Sequence, residues 1–179
     1  QARLTEDRAV ADRELLRHIS TYPRDALAVS VALPTIAFSG LAGPVTKSWE
    51  LVDRLAPEYG DDWWFTGIQA FTRQEQDRWD EAGRLAAKAM SVQPASGHAA
   101  HAMTHVYYET GEHVAGLDWI DGWIDAHGRD TNHRAHYSWH AALHELALDD
   151  PVAARERYRC QLAPPTVTGA RALIDSTSL

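Results

Sequence analysis

A chain of 179 residues is long enough to bury one substantial core, and 45% hydrophobic with 23% charged residues is an ordinary soluble composition. Seven Trp and six Tyr argue against disorder, and a net charge of −8 without a Lys/Arg cluster argues against a nucleic-acid partner. Protonating all ten histidines would carry that charge from −8 to +2. No apolar run approaches the ~20 residues needed to cross a bilayer, and no signal-peptide pattern is seen. A single cysteine, Cys160, excludes an internal disulfide and a cysteine-rich zinc site. It is read as a structural thiol near a helix end.

The elements are all helical, with no strand or hairpin pattern. The first is expected over Thr5 to Ser20, with Leu15, Leu16 and Ile19 inward, ended by Tyr22-Pro23. Asp25 to Ser39 follows, bent at Pro34. Gly40 and Gly43-Pro44 form a turn. Thr46 to Leu55 is the third helix, ended by Pro57. Asp61 or Asp62 caps the next, which runs to about Arg73. Asp77 to Ser91 places Trp79, Ala82, Ala86 and Ala89 on one side and stops before Pro94. Ser96 caps a helix that Gly111 closes. His113 to about Ala126 has Leu117, Ile120 and Ile124 as core. Thr131 to Ala147 follows. Asp150 caps, with Pro151 in the first turn, a helix reaching about Leu162. Pro164-Pro165 interrupts, and a terminal helix starts near Thr168.

Two of these helices carry histidine ladders. The first runs His98, His101, His105 and on to Glu109; the second runs His133, His136, His140, His144. Steps of three and four return to one helix face, so each ladder is a titratable stripe where a core would have leucine or alanine. The helices pair through tight turns and the pairs recur about every 34–38 residues, the scale of a helical solenoid. Trp79, Ala82, Ala86, Ala89 and Pro94 have the spacing of the second helix of a tetratricopeptide repeat. The expected fold is therefore all-α: antiparallel helix pairs stacked as a tetratricopeptide-like right-handed superhelical solenoid. It would be a single helical-repeat domain over 1–179, cut from a longer chain; a non-solenoid helical bundle is the alternative.

Three stretches, Ala102 to Gly111 (AMTHVYYETG), His136 to Leu146 (HYSWHAALHEL) and more weakly Leu173 to Leu179 (LIDSTSL), resemble the tetratricopeptide repeat protein 38 family. Tyr22-Pro23-Arg24-Asp25-Ala26-Leu27 resembles the start of an earlier repeat of it. Trp139-His140 matches a family pair, Tyr137-Ser138 departs from it, and Asp149 stands where the family usually has a glycine turn. The resemblance spans roughly residues 15 to 179. It implies a superhelical fold, with both ladders on first helices of adjacent repeats about 10 Å apart, and brings no catalytic role.

Three readings of the ladders stand open. The histidines hold helices together as packed, hydrogen-bonded rings. Or they line a concave groove for a peptide or small-molecule ligand, built from His101, His105, Glu109, His136, Trp139, His140 and His144, with Trp64 and Phe71 extending the wall. Or they are metal ligands or acid–base groups of an enzyme of unknown reaction. In that third case His101, His105, His136 and His140 would hold a divalent ion such as zinc, with Glu109 as ligand or base. No HExxH motif is present. The reading adopted is a cytoplasmic scaffold or binding module with no cofactor, no membrane and no nucleic-acid partner; a homo-oligomer is compatible with it. Ser138 is set aside as a nucleophile. Asp118, Asp121 and Asp125 are read as a solvated face, and Trp49, Trp63, Trp64, Trp79, Trp119 and Trp123 as packing residues.

Overall fold

The computed structural model describes residues 8–33, 46–129, 133–164 and 166–179, and these contain helices and no strand. In chain order the helices are α1 (Arg8–Thr21), α2 (Ala26–Ala32), α3 (Thr46–Tyr59), α4 (Trp63–Gln74), α5 (Trp79–Val92), α6 (Gly97–Glu109), α7 (His113–Trp123), α8 (Arg134–Ala147), α9 (Pro151–Arg157) and α10 (Ala170–Thr177). Helices α7 and α9 each run on into one wide turn, Ile124–Gly128 and Tyr158–Leu162. The expected bend at Pro34 and the turn at Gly40 to Pro44 lie outside the described residues.

The ends follow the caps written in the chain. Asp25, Asp62 and Asp150 accept from the backbone N–H three residues on, at 3.0, 3.0 and 2.9 Å. Pro151 occupies the first turn of α9, where no N–H is needed. Pro57 does not end α3, contrary to expectation. The helix continues to Tyr59, and Gly60 N–H still reaches the Ala56 carbonyl at 3.0 Å. A proline in the last turn forgoes a single backbone bond. Ser96 precedes α6 without a side-chain cap bond.

The same turn closes α4, α6 and α8. Asp77, Gly111 and Asp149 adopt φ of 58°, 78° and 60°. At each, two backbone bonds fold back across the helix end: Asp77 to Gln74 and Arg78 to Arg73, Gly111 to Tyr108 and Glu112 to Tyr107, Asp149 to Leu146 and Asp150 to Glu145. Asp149, where the resembled family has glycine, does take the left-handed conformation that glycine favours. Aspartate is among the few side chains that tolerate it.

From α3 through to α9 each helix packs on the next, α1 packs on α2 and α10 on α8, and α4 also touches α6, as α6 touches α8. Ile19, Val29, Leu33, Leu51, Leu55, Phe65 and Ile68 form one core. Ala70, Phe71, Ala86, Ala89, Ala99 and Ala102 form the next, where small side chains let α4, α5 and α6 approach closely. Ala100, Ile120, Trp123, Ile124, Tyr137 and Ala141 join α6, α7 and α8. Two polar anchors set the register of that junction: Tyr137 Oη donates to the Gly97 carbonyl at 3.1 Å, and Trp123 Nε1 donates to the Pro94 carbonyl at 2.9 Å. No helix among the described residues is long and apolar enough to cross a membrane.

Candidate metal centre

Helix α6 contributes His101 and His105, and helix α8 contributes His136 and His140. Each pair is spaced i,i+4, so its two rings leave the helix on one side, one turn apart. Where α6 and α8 meet, the two sides face each other. His101 Nε2 lies 3.0 Å from His105 Nε2 and 3.0 Å from His136 Nε2, and His136 Nε2 lies 3.1 Å from His140 Nε2. The ring centres of His101 and His140 are 4.9 Å apart, and those of His105 and His140 are 4.7 Å apart. Ligand nitrogens of His101, His105 and His140 all fall within 4.8 Å of one another. His101, His136 and His140 are buried and His105 is half-buried.

Proton arithmetic makes this cluster unusual. Each imidazole nitrogen has one in-plane valence, either an N–H or a lone pair. His101 Nε2 meets two other Nε2 atoms, and so does His136 Nε2. Any proton assignment must therefore split one N–H between two lone pairs or aim two N–H groups at one lone pair. A cation held by these nitrogens would take each as a lone-pair donor and remove that conflict. Zn–N bonds of about 2.0–2.1 Å in a tetrahedron would set the nitrogens about 3.3–3.4 Å apart. The observed 3.0–3.1 Å contacts are within a few tenths of an ångström of that spacing. Burial, with His136 close by, pushes His105 down to about 4, so this ring presents a lone pair at neutral pH.

The surroundings hold the rings in place. Phe71 packs on His101 with centres 5.0 Å apart. Trp139 stacks on His136, with centres 5.6 Å apart and 11° between planes, and Trp139 Nε1 donates to Ser178 Oγ at 2.8 Å. The other nitrogen of His136, Nδ1, lies 3.2 Å from the buried carboxylate of Asp175 on α10.

The remaining sequence candidates separate from this cluster. His144 lies one turn beyond His140 and faces His113 and Tyr108 instead, with Nδ1 3.4 Å from His113 Nδ1. Burial drives it to about 4, with His113 adding to the fall and the Thr104 carbonyl opposing it. His98 stands in the first turn of α6, and His133 immediately precedes α8. Neither ring is in the cluster; burial takes His98 to about 4, with His133 adding to the fall. Glu109 is exposed at the end of α6, away from the ligand role sequence spacing allowed it. Trp64 packs against Tyr59 and Phe65 in the first core. Ser138 Oγ donates to Gln161. Asp121 and Asp125 are ion-paired with Arg157 and Arg129 rather than simply solvated. Cys160 is exposed, and its hydrogen bond to Glu156 raises its pKa, which disfavours the thiolate.

Asp175 and Ser178 were missed as site residues. The signal was weak but present: both sit in the LIDSTSL stretch that carried part of the resemblance. The three resembling stretches meet at this cluster, supplying His105, then His136, Trp139 and His140, then Asp175 and Ser178. No family model matches the chain, and no solved structure gives a significant match.

Proposed function

We propose that this protein is a helical-repeat scaffold that binds one first-row divalent transition-metal ion between α6 and α8, through Nε2 of His101, His105, His136 and His140. The observation that carries this reading is the meeting of imidazole nitrogens from two helices: those of His101, His105 and His140 fall within 4.8 Å of one another, and His136 Nε2 stands 3.0 and 3.1 Å from Nε2 of His101 and His140. An all-nitrogen donor set suits zinc, copper, nickel or cobalt and does not suit calcium or magnesium, which take oxygen ligands. With four protein ligands the ion has no open position, which is the pattern of a structural rather than a catalytic centre. The ion would join the helix pair containing α6 to the pair containing α8.

Stacking of those pairs as a tetratricopeptide-like superhelix, and kinship with the tetratricopeptide repeat protein 38 family, belong to the same proposal. They are supported by the α4–α6 and α6–α8 contacts and by the left-handed turn repeated at Asp77, Gly111 and Asp149. A peptide-binding groove centred on the ladders has less support, because His101, His136, His140 and His144 are buried against neighbours and offer a peptide little to touch.

Elemental analysis of the purified chain, followed by zinc titration of the stripped protein, tests the proposal. One equivalent should bind. H105A and H140A should each weaken binding by more than the about 10–100-fold that loss of an outer partner costs, while H18A, which alters an exposed ring paired with Asp25, should not. A folded, metal-free protein that takes up no zinc, copper, nickel or cobalt would sink it.

A further inference from the structure

Resting on the metal reading above, we propose that Asp175 is the positioning residue of the site: it sets which nitrogen of His136 faces the ion. An ionised carboxylate can only accept a hydrogen bond. With Asp175 Oδ2 3.2 Å from His136 Nδ1, the ring proton belongs on Nδ1 and is donated to the carboxylate. The lone pair is then on Nε2, the atom that lies 3.0 and 3.1 Å from the Nε2 atoms of His101 and His140. The other tautomer would aim an N–H at the ion and a lone pair at a carboxylate, and is excluded twice over. The carboxylate also raises the ring's basicity as a ligand.

The geometry around Asp175 is built for this task. Its side chain is 5% exposed, as is fitting for a group held against a 4% exposed imidazole. Ser178, the residue that accepts from Trp139 Nε1, itself donates to the Asp175 carbonyl at 2.9 Å. Helix α10 therefore holds His136 at its edge through Asp175, and through Ser178 the indole stacked on its face.

Zinc titration of wild type, D175N and T177A, with ¹⁵N NMR of the His136 tautomer in the stripped protein, decides the matter. Wild-type His136 should carry its proton on Nδ1. D175N, whose amide can present either an acceptor or a donor, should give mixed tautomers and about 10–100-fold weaker zinc binding. T177A removes an exposed hydroxyl of α10 that donates to the Leu173 and Ile174 carbonyls, away from the His136 edge, and should retain wild-type affinity. The proposal is overturned by a wild-type proton on Nε2, which is readable whether or not D175N folds. It is equally overturned by unchanged affinity in D175N, or by T177A losing as much affinity as D175N. Wild type that binds zinc with D175N indifferent rejects the role of Asp175 alone; wild type that binds none of the four metals rejects the metal centre with it.

Discussion

Gly116 and His144 occupy one space between α7 and α8. A Cβ at position 116 would stand 2.5 Å from His144 Cε1 and 2.7 Å from Tyr107 Cβ. The His144 ring is fully buried, so it has nowhere to go. In an exposed helix, Gly→Ala stabilises by up to about 1 kcal/mol. Here the sign reverses. G116A should destabilise by about 1–3 kcal/mol through overpacking, and G116A with H144A should recover part of the loss. G122A, on the same helix with nothing within 4 Å of the added carbon, should stabilise by up to about 1 kcal/mol. Urea unfolding of the three variants against wild type checks the set.

Acid should destabilise the metal-free protein through His98 and His144. Both are depressed in the fold to about 4, chiefly by burial. Above the ordinary imidazole value of about 6.5 both rings are neutral folded or unfolded, and the stability is whole. Between about 6.5 and 4 the unfolded chain takes up protons that the folded one refuses, so stability falls with pH across that window. Unfolding midpoints measured from pH 7.5 to 4.5 should slope downward, and H98Q should flatten the slope. A midpoint that rises on acidification would contradict the assignment.

Arg157 clamps three helices. From the end of α9 it donates to Asp121 on α7 at 2.7 and 2.9 Å, and to Glu145 on α8 at 2.7 and 3.0 Å. Glu145 is buried, so its charge depends on this partner, while Asp121 is half exposed and matters less. R157A should cost about 3 kcal/mol by stranding Glu145, within the range for breaking a buried pair. R157K should recover little, since one ammonium cannot reproduce the forked contacts. The double variant R157A with E145Q should be more stable than R157A alone. Denaturant midpoints give the comparison.

Added metal should shift the melting curve in proportion to its affinity. Binding only the folded state at 100 times the dissociation constant adds about 2.7 kcal/mol. Calorimetry with and without zinc should show that gain in wild type, its reversal by a chelator, and its absence in H101A. Magnesium should shift nothing.

Much of this architecture was legible in the residues, and what was not has physical reasons. Helix caps at Asp25, Asp62 and Asp150 depend on local chemistry, so they could be read directly. The alanine face of α5 was equally plain, because close helix approach demands small residues at fixed spacing. Pro57 misled because a proline in a last turn costs too little to stop a helix that tertiary packing favours. The ladder spacing correctly marked His101, His105, His136 and His140 as sharing faces. It could not tell them from His98, His133 and His144, since periodicity gives the direction of a ring and not what stands opposite. His144 leaves the group because His113, from the neighbouring helix, meets it first. Asp175 was out of reach for the same reason: it is 39 residues from its partner in the chain, and such a pairing is decided by how helices stack.

One cysteine leaves these 179 residues without an internal disulfide. The imidazole cluster ties two segments 35 residues apart, a separation at which a disulfide would restrict the unfolded chain by about 3–4 kcal/mol. An ion seated there would act as a staple of that kind, but one that a chelator or a competing thiol could withdraw without breaking a bond in the polypeptide. The stiffness of this stretch of helices would then be set by the free metal concentration around it rather than by redox state.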